Sequence, residues 1–365
     1  MTQYDYDMQM KQTNEEELSI AMLNLRYKNV CHKISCKPII KTTRKFNILS
    51  IDGGGIRAYM ALVFLIELEI RFKKNVSAMF DMVGGTGFGG LIAAALNTSS
   101  HVNNKKPKYS TTELINFFKK HQKVIFKEFF KMTTIYSSLK SVHRKLGDIS
   151  GQLYDGNGLQ ESLKELFTPF RKMKDLMKPT VITAHQYSST ESKTILLTND
   201  HPEYSQWDIS EAILAACSSP YFFPPLDLGA TETASSTKIC DGGVAVMNPT
   251  EVMVQKAVEM GYKLEEINVL SLGTGEFPAD GEDADDLKLS EQLYWPAKYQ
   301  KIVNQDIIPY TQVAQVDKKM KETLPAKNYV RIQVEMPDDV PPVPLDSNSP
   351  DSLLNMGKWA CSNLY

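Results

Sequence analysis

The sequence predicts a three-layer α/β domain in which a mainly parallel sheet is flanked by helices. Two observations carry this expectation. Two successive units run from an apolar strand through a glycine-rich turn into an apolar helix, and further short apolar runs of strand length follow along the chain. Repeated strand, turn and helix units imply parallel strands covered by helices. The 365 residues are enough for one large or two ordinary domains, and the composition is that of a globular protein.

Residues 1–44 are polar with weak periodicity and read as an N-terminal extension, in which Leu18, Ile20, Met22, Leu23 and Leu25 suit a short helix. The first unit has a buried-strand run at Phe46 to Ile51, a sharp turn at Gly53, Gly54 and Gly55, and a long apolar helix at Tyr59 to Phe72. The second has a short strand at Met79 to Val83, a glycine-dense turn from Gly84 to Gly90, and a helix beginning at Leu91 to Leu96. Further strands are expected at Thr180 to Ala184, Thr194 to Thr198, Ile267 to Leu272 and Tyr329 to Val334. A helix from Ser210 to Ala216 ends before Ser218, Ser219 and Pro220. Pro341, Pro342 and Pro344 mark an extended linker, and Ser349 with Pro350 starts a last helix through Trp359. The expected organisation is an extension over 1–44, a main domain over 45–335, and a linker with a helix packing on that domain over 336–365.

Bulk properties exclude several classes. A net charge of −2 lacks the basic excess of a nucleic-acid binder. Cys31, Cys36, Cys217, Cys240 and Cys361 are scattered and match no metal-ligand spacing, which favours a reducing compartment and no structural zinc. The acidic run Asp280, Glu282, Asp283, Asp285 and Asp286 lacks the ordered spacing of a calcium loop. No metal and no cofactor are expected. The N-terminus lacks a signal-peptide pattern and no run approaches the ~20 apolar residues of a membrane span. The expected location is cytoplasmic, with peripheral membrane attachment as an option.

The two glycine turns fit dinucleotide fingerprints: Gly53 to Ala58 reads G-x-G-x-x-A, and Gly85 to Gly90 reads G-x-G-x-x-G. Backbone N–H groups at a helix N-terminus present partial positive charge to an anion. The same arrangement serves an oxyanion hole, where donors meet charge developing on an ester carbonyl. The turns alone do not separate the two uses.

Longer segments do. Asp52-Gly53-Gly54-Gly55-Ile56-Arg57 resembles the D-G-G-G-x-[RK] anion-hole motif of patatin-like phospholipases. Phe80 to Thr86 followed by Gly89 and Gly90 resembles that family's nucleophile segment, a strand leading into G-x-S-x-G. Ser218 to Pro225 is similar to the turn before the third motif, which is Asp241-Gly242-Gly243 continued by Asn248-Pro249-Thr250. Leu270 to Gly275 matches one more family block. The resemblance implies a patatin-like fold, lipid or fatty-acyl esters as ligands, and hydrolysis by a Ser-Asp dyad without histidine. Carried over by position, Asp241 is the general base, Gly53, Gly54 and Gly55 supply oxyanion donors, and Arg57 adds positive charge nearby. Gly85, Thr86, Gly89, Gly242 and Gly243 are the motif neighbours.

The chain departs from the family at the decisive position. Gly87 stands where the serine belongs, Phe88 follows it, and Ala58 replaces the usual glycine after Arg57. Removing the nucleophile of a serine hydrolase costs about 10⁶ in kcat, while about 10³ to 10⁴ over water survives from the other parts. The expected function is therefore a catalytically deficient lipid-binding or regulatory pseudoenzyme. The alternative is an active lipid acyl hydrolase rescued by Thr86, by Ser218 or Ser219, or by a water activated by Asp241.

Residues 101–147 carry a local basic excess that includes Lys105, Lys106, Lys108, Lys119, Lys120, Lys123, Lys127, Lys131, Lys140, Arg144 and Lys145. Phe117, Phe118, Ile125, Phe126, Phe129 and Phe130 are interleaved at roughly helical spacing. Residues 105–145 suit either an anionic membrane surface or an ordinary amphipathic helix with its phenylalanines in the core.

Overall fold

The computed structural model describes residues 45–101, 106–127, 153–167, 171–220, 222–229, 236–276, 308–334 and 343–363. Along the chain come β1 (Phe46–Ile51), α1 (Tyr59–Phe72), β2 (Met82–Thr86), α2 (Phe88–Asn97), α3 (Thr111–Ile125) and α4 (Asn157–Leu166). Next are β3 (Thr180–Tyr187), β4 (Ser192–Thr198), α5 (Ile209–Cys217), β5 (Leu226–Asp227), β6 (Lys238–Asp241) and α6 (Thr250–Glu259). Last come β7 (Ile267–Leu272), α7 (Ile308–Thr323), β8 (Tyr329–Ile332) and α8 (Pro350–Asn363). All of these belong to one compact unit, Ile40–Asn363.

The strands form one mixed sheet in the order β5-β6-β3-β2-β1-β7-β8, with β4 also paired to β3. From β3 to β8 every pairing is parallel, and β4, β5 and β6 add antiparallel pairs. Parallel strands need cover on both faces, and β2 and β7 are buried at every position. On one face Ile48, Met82, Val181 and Val269 pack against Met253, Val254 and Ala257 of α6 and Met320 of α7. On the other, α2 is buried at every residue and packs on β2 and β3, with α5 beside it. Outside these layers α1 packs on α3 and α8. The α/β architecture with a central sheet flanked by helices is as the sequence predicts.

The second unit differs in its boundaries. Val76–Met79 is a single helical turn, the strand starts at Met82, and Gly84, Gly85 and Thr86 belong to it rather than to a turn. These glycines serve close approach instead of bending. A Cβ on Gly85 would lie 2.4 Å from the Gly89 carbonyl oxygen, and one on Gly89 would lie 2.4 Å from the Asp52 oxygen. The start of α2 can therefore press against the ends of β1 and β2, and the helix begins at Phe88.

The basic segment divides in the same physical way as any amphipathic helix. Ser110 and Glu113 form a reciprocal capping box that starts α3. Phe117, Phe118, Ile125 and Phe126 face the core, while Lys119, Lys120, Lys123 and Lys127 are exposed. The phenylalanines described are thus core residues. The N-terminal extension, residues 102–105 (with Lys105) and 128–147 of the basic segment, the acidic run and Pro341 to Pro342 lie outside the described residues. Among the described residues, no helix is long and apolar enough to cross a membrane.

Candidate active site

One strand sets the geometry of the site. β4 occupies one edge of β3 from Val181 to Tyr187, so β2 and β6 share the opposite edge. β2 runs parallel to β3 and ends with Thr86 opposite Thr183, whereas β6 runs antiparallel and ends with Asp241 opposite Ala184. The two strands meet head on. Their next residues, Gly87 and the Asp241-Gly242-Gly243 turn, are brought together by this register.

Gly87 has φ 53° and ψ −125°, a combination disfavoured for residues with a side chain. A Cβ built there would lie 2.9 Å from Asp241 Oδ2 and 3.3 Å from Oδ1. The missing side chain would point at the carboxylate. Asp241 Oδ1 accepts a hydrogen bond from the Gly243 N–H at 2.7 Å, which orients the group and leaves Oδ2 toward residue 87.

Burial pushes the Asp241 carboxyl up to about 7, against the Gly243 N–H, which favours the ionised form. A carboxyl raised in the fold binds its proton more tightly there than in the unfolded chain. It therefore lowers stability as pH rises from its ordinary value near 4 to about 7. Asp241→Asn is expected to melt increasingly above the native chain across this window and to hold a constant advantage at higher pH. Thermal melts at pH 4.5, 6 and 8 check this, and a pH-independent difference would contradict it.

The glycine loop stands against this pair. The Gly53 N–H donates to the Met247 carbonyl at 2.9 Å, and the Gly53 carbonyl accepts from Thr274 Oγ1 at 2.6 Å. Gly53 thus lines the site with its amide already used, which corrects its expected role as a donor. Among the described residues, neither the Gly54 nor the Gly55 N–H donates within the protein, so both amides are open to an acceptor from outside. Arg57 keeps its charge beside the loop without lining the cavity. Its side chain is buried and Nε donates to the Val343 carbonyl at 2.5 Å, so it anchors the C-terminal segment rather than lining the cavity.

The loop's foundation is an ion pair that the sequence reading missed. Asp52 is held at two points by Arg331 of β8, Nη1 to Oδ1 at 3.0 Å and Nη2 to Oδ2 at 2.5 Å. Arg331 also donates to Ser271 Oγ at 2.8 Å, and Thr250 Oγ1 lies 3.1 Å from that oxygen and 2.9 Å from Ser50 Oγ. The one sequence signal was an arginine inside the apolar run Tyr329-Val330-Arg331-Ile332.

These elements enclose a cavity of about 230 Å³. Gly53, Gly54, Gly55 and Asp241 form its polar end, and Phe88, Phe126, Phe222, Phe223 and Met247 form apolar walls. Leu345 and Asp346 close one side. Thr86 Oγ1 is buried and engaged with Thr183 Oγ1 and the Val246 carbonyl, both at 2.8 Å, so it is not presented to the cavity. Ser218 Oγ donates to the Leu214 carbonyl at 2.7 Å and caps α5. Ser219 does line the cavity, as does Cys217, which the sequence reading had left out. Burial, and then the charge of Asp241, hold the Cys217 thiol well above its ordinary pKa, so it is protonated at neutral pH.

A model of the patatin-like phospholipase family matches residues 49–254, which include the glycine loop, Gly87 and Asp241. The chain belongs to this family. Among its curated relatives, "Probable inactive patatin-like protein 9" of Arabidopsis thaliana is 24% identical over 64% of this chain and 62% of the relative. "Patatin-like protein 2" of Oryza sativa subsp. indica is 30% identical over 56% of this chain and 50% of the relative. The chain thus matches between half and two thirds of the length of these patatin-like relatives. Among solved structures, VipD from Legionella pneumophila superposes with a TM-score of 0.36 at 14% identity, over 88% of this chain and 67% of that one. Human GIVD cytosolic phospholipase A2 gives 0.38 at 8% identity, over 70% and 46%.

Proposed function

We propose that this chain is a patatin-like acyl-lipid binding scaffold that has lost the covalent step, a regulatory pseudoenzyme. The observation that carries the reading is Gly87. It keeps the strained elbow conformation facing Asp241, with a hydrogen atom where the attacking oxygen belongs. The rest of the apparatus supports ligand binding: the Gly54 and Gly55 amides can take an ester carbonyl oxygen, and the phenylalanine walls take an apolar chain. The name of the Arabidopsis relative, "Probable inactive patatin-like protein 9", agrees with this reading. We place the protein in the cytoplasm, with the exposed Lys119, Lys120, Lys123 and Lys127 of the α3 segment as its surface toward anionic membranes.

The test is hydrolysis of a short-chain fluorogenic ester and of a phospholipid, beside binding of a non-hydrolysable acyl ligand. Binding without turnover is the expected result. One observation favours a second reading: an Asp241 raised to about 7 is suited to act as a general base on water. Turnover that disappears in Asp241→Asn and rises with pH through about 7 would establish that hydrolase and remove the pseudoenzyme.

A further inference from the structure

The cavity carries more information than its apolar walls. Its lining contains two carboxyl groups, Asp241 and Asp346, and, among the described residues, no lysine, arginine or histidine. Among the described residues neither carboxylate is in an ion pair. The side-chain partner of Asp241 is the Gly243 N–H, and that of Asp346 is the Tyr154 hydroxyl, which donates to Oδ2 at 2.8 Å. Asp241, raised to about 7, carries only part of a charge at neutral pH, so Asp346, with no cation opposite it among the described residues and set beside apolar walls, carries the electronegative side of the interior.

Asp346 stands next to aromatic rings. Phe126, Tyr154 and Phe223 form a mutually packed trio with centroids 5.6 Å (Phe126–Tyr154), 5.4 Å (Tyr154–Phe223) and 5.9 Å (Phe126–Phe223) apart. Phe126 and Phe223 line the cavity, Phe126 also stacks on Phe88 at 5.7 Å, and the Tyr154 hydroxyl ties the Asp346 carboxylate to this aromatic group. Ring faces carry negative quadrupole charge and attract a cation whose hydration is weak, a quaternary ammonium above all. A carboxylate at the same place adds the counter-charge. At about 230 Å³ the space is below the ~300–1,000 Å³ of pockets for drug-sized ligands, so it suits a small head group and not a pair of acyl chains.

We infer that the Asp346–Phe126–Phe223 side of the cavity is a subsite for a quaternary ammonium group, of the kind carried by choline and by phosphocholine lipids. This rests on the reading of the cavity as the ligand site of a lipid-binding scaffold. It adds a charge preference that an acyl pocket does not require: cationic ligands are selected, and free fatty-acid anions are disfavoured.

Calorimetric titration of the full chain tests it with four probes: choline, its neutral isostere 3,3-dimethylbutanol, octanoate, and a monoacyl phosphocholine below its micelle concentration. Choline is expected to bind at least ~10-fold more tightly than the neutral alcohol, with octanoate weakest. Asp346→Asn is expected to shrink that ratio to about threefold or less. Because the neutral alcohol has no charge to lose, its binding reports whether the variant's cavity is intact. Tighter binding of the lipid than of choline identifies a lipid head group as the source, and equal binding identifies the free small molecule. Equal or tighter binding of the neutral alcohol, or a preference for octanoate, overturns the subsite but leaves the acyl-lipid reading standing. No binding of any probe overturns both.

Discussion

Gly87→Ser will convert the chain into an esterase at least about 100-fold more active than the native protein. The scale follows from the ~10⁶ in kcat that a serine hydrolase loses with its nucleophile, of which an imperfect site returns a part. The part is limited by geometry. A Cβ at this position sits 2.9 Å from Asp241 Oδ2, so the carboxylate must retreat by a few tenths of an ångström before the hydroxyl can face it. The conformation at φ 53° is also strained for serine, and the variant is expected to be about 1–3 kcal/mol less stable. Both effects are measured on one sample, by fluorogenic ester turnover and by denaturant unfolding. A fluorophosphonate should label the variant and leave the native chain unmarked. A folded variant that neither turns over ester nor takes the label would show that the Asp241 and loop-amide geometry is not a hydrolase site.

Arg331→Met will destabilise the fold by about 3–5 kcal/mol, the usual cost of leaving a buried charge without its partner. Asp52 lies at the end of β1, fully enclosed, and its two oxygens are both taken by Arg331. Methionine fills a comparable volume, so the loss reads the charge and not a cavity. The double replacement Asp52→Leu with Arg331→Met should recover most of the loss, because the pair's mutual attraction largely offsets its desolvation. Urea unfolding of the three proteins checks this. A loss below about 1 kcal/mol for the single variant would mean that water reaches Asp52 in solution. The same variant should weaken ligand binding, since Asp52 leads directly into Gly53, Gly54 and Gly55.

These two residues also mark how far the sequence could be read. β1, α1, β7 and the parallel core were legible, because long apolar runs punctuated by glycine have one dominant physical meaning. Gly87 stands out for a different reason: the motif around it resembles one that carries serine there, and the register of β3 brings this position to Asp241. Glycine density misled at Gly84 and Gly85, where the missing Cβ admits a helix against a strand and makes no turn. The edge strand β5 and its neighbour β6 have too few residues to show a period. Gly53 has the right identity for an oxyanion loop, yet its N–H is engaged by the Met247 carbonyl, and Arg57 Nε by that of Val343, partners far along the chain that a local pattern does not reveal. Arg331 was missed for the same reason, being separated from Asp52 by most of the domain.

The shared edge of β3 has a consequence for how such a site ages. Thr183 and Ala184 act as a ruler, fixing the distance between the elbow and the aspartate through backbone pairing that the sheet needs in any case. Selection for a folded protein alone is then enough to maintain that distance. On the proposed reading, loss of the serine relaxes nothing in the sheet, and Asp241 stays aimed at the position of Gly87 for as long as the fold survives. A lineage of this architecture can therefore lose its chemistry in one substitution and keep the mould of it, ready for another use or for a single reversion.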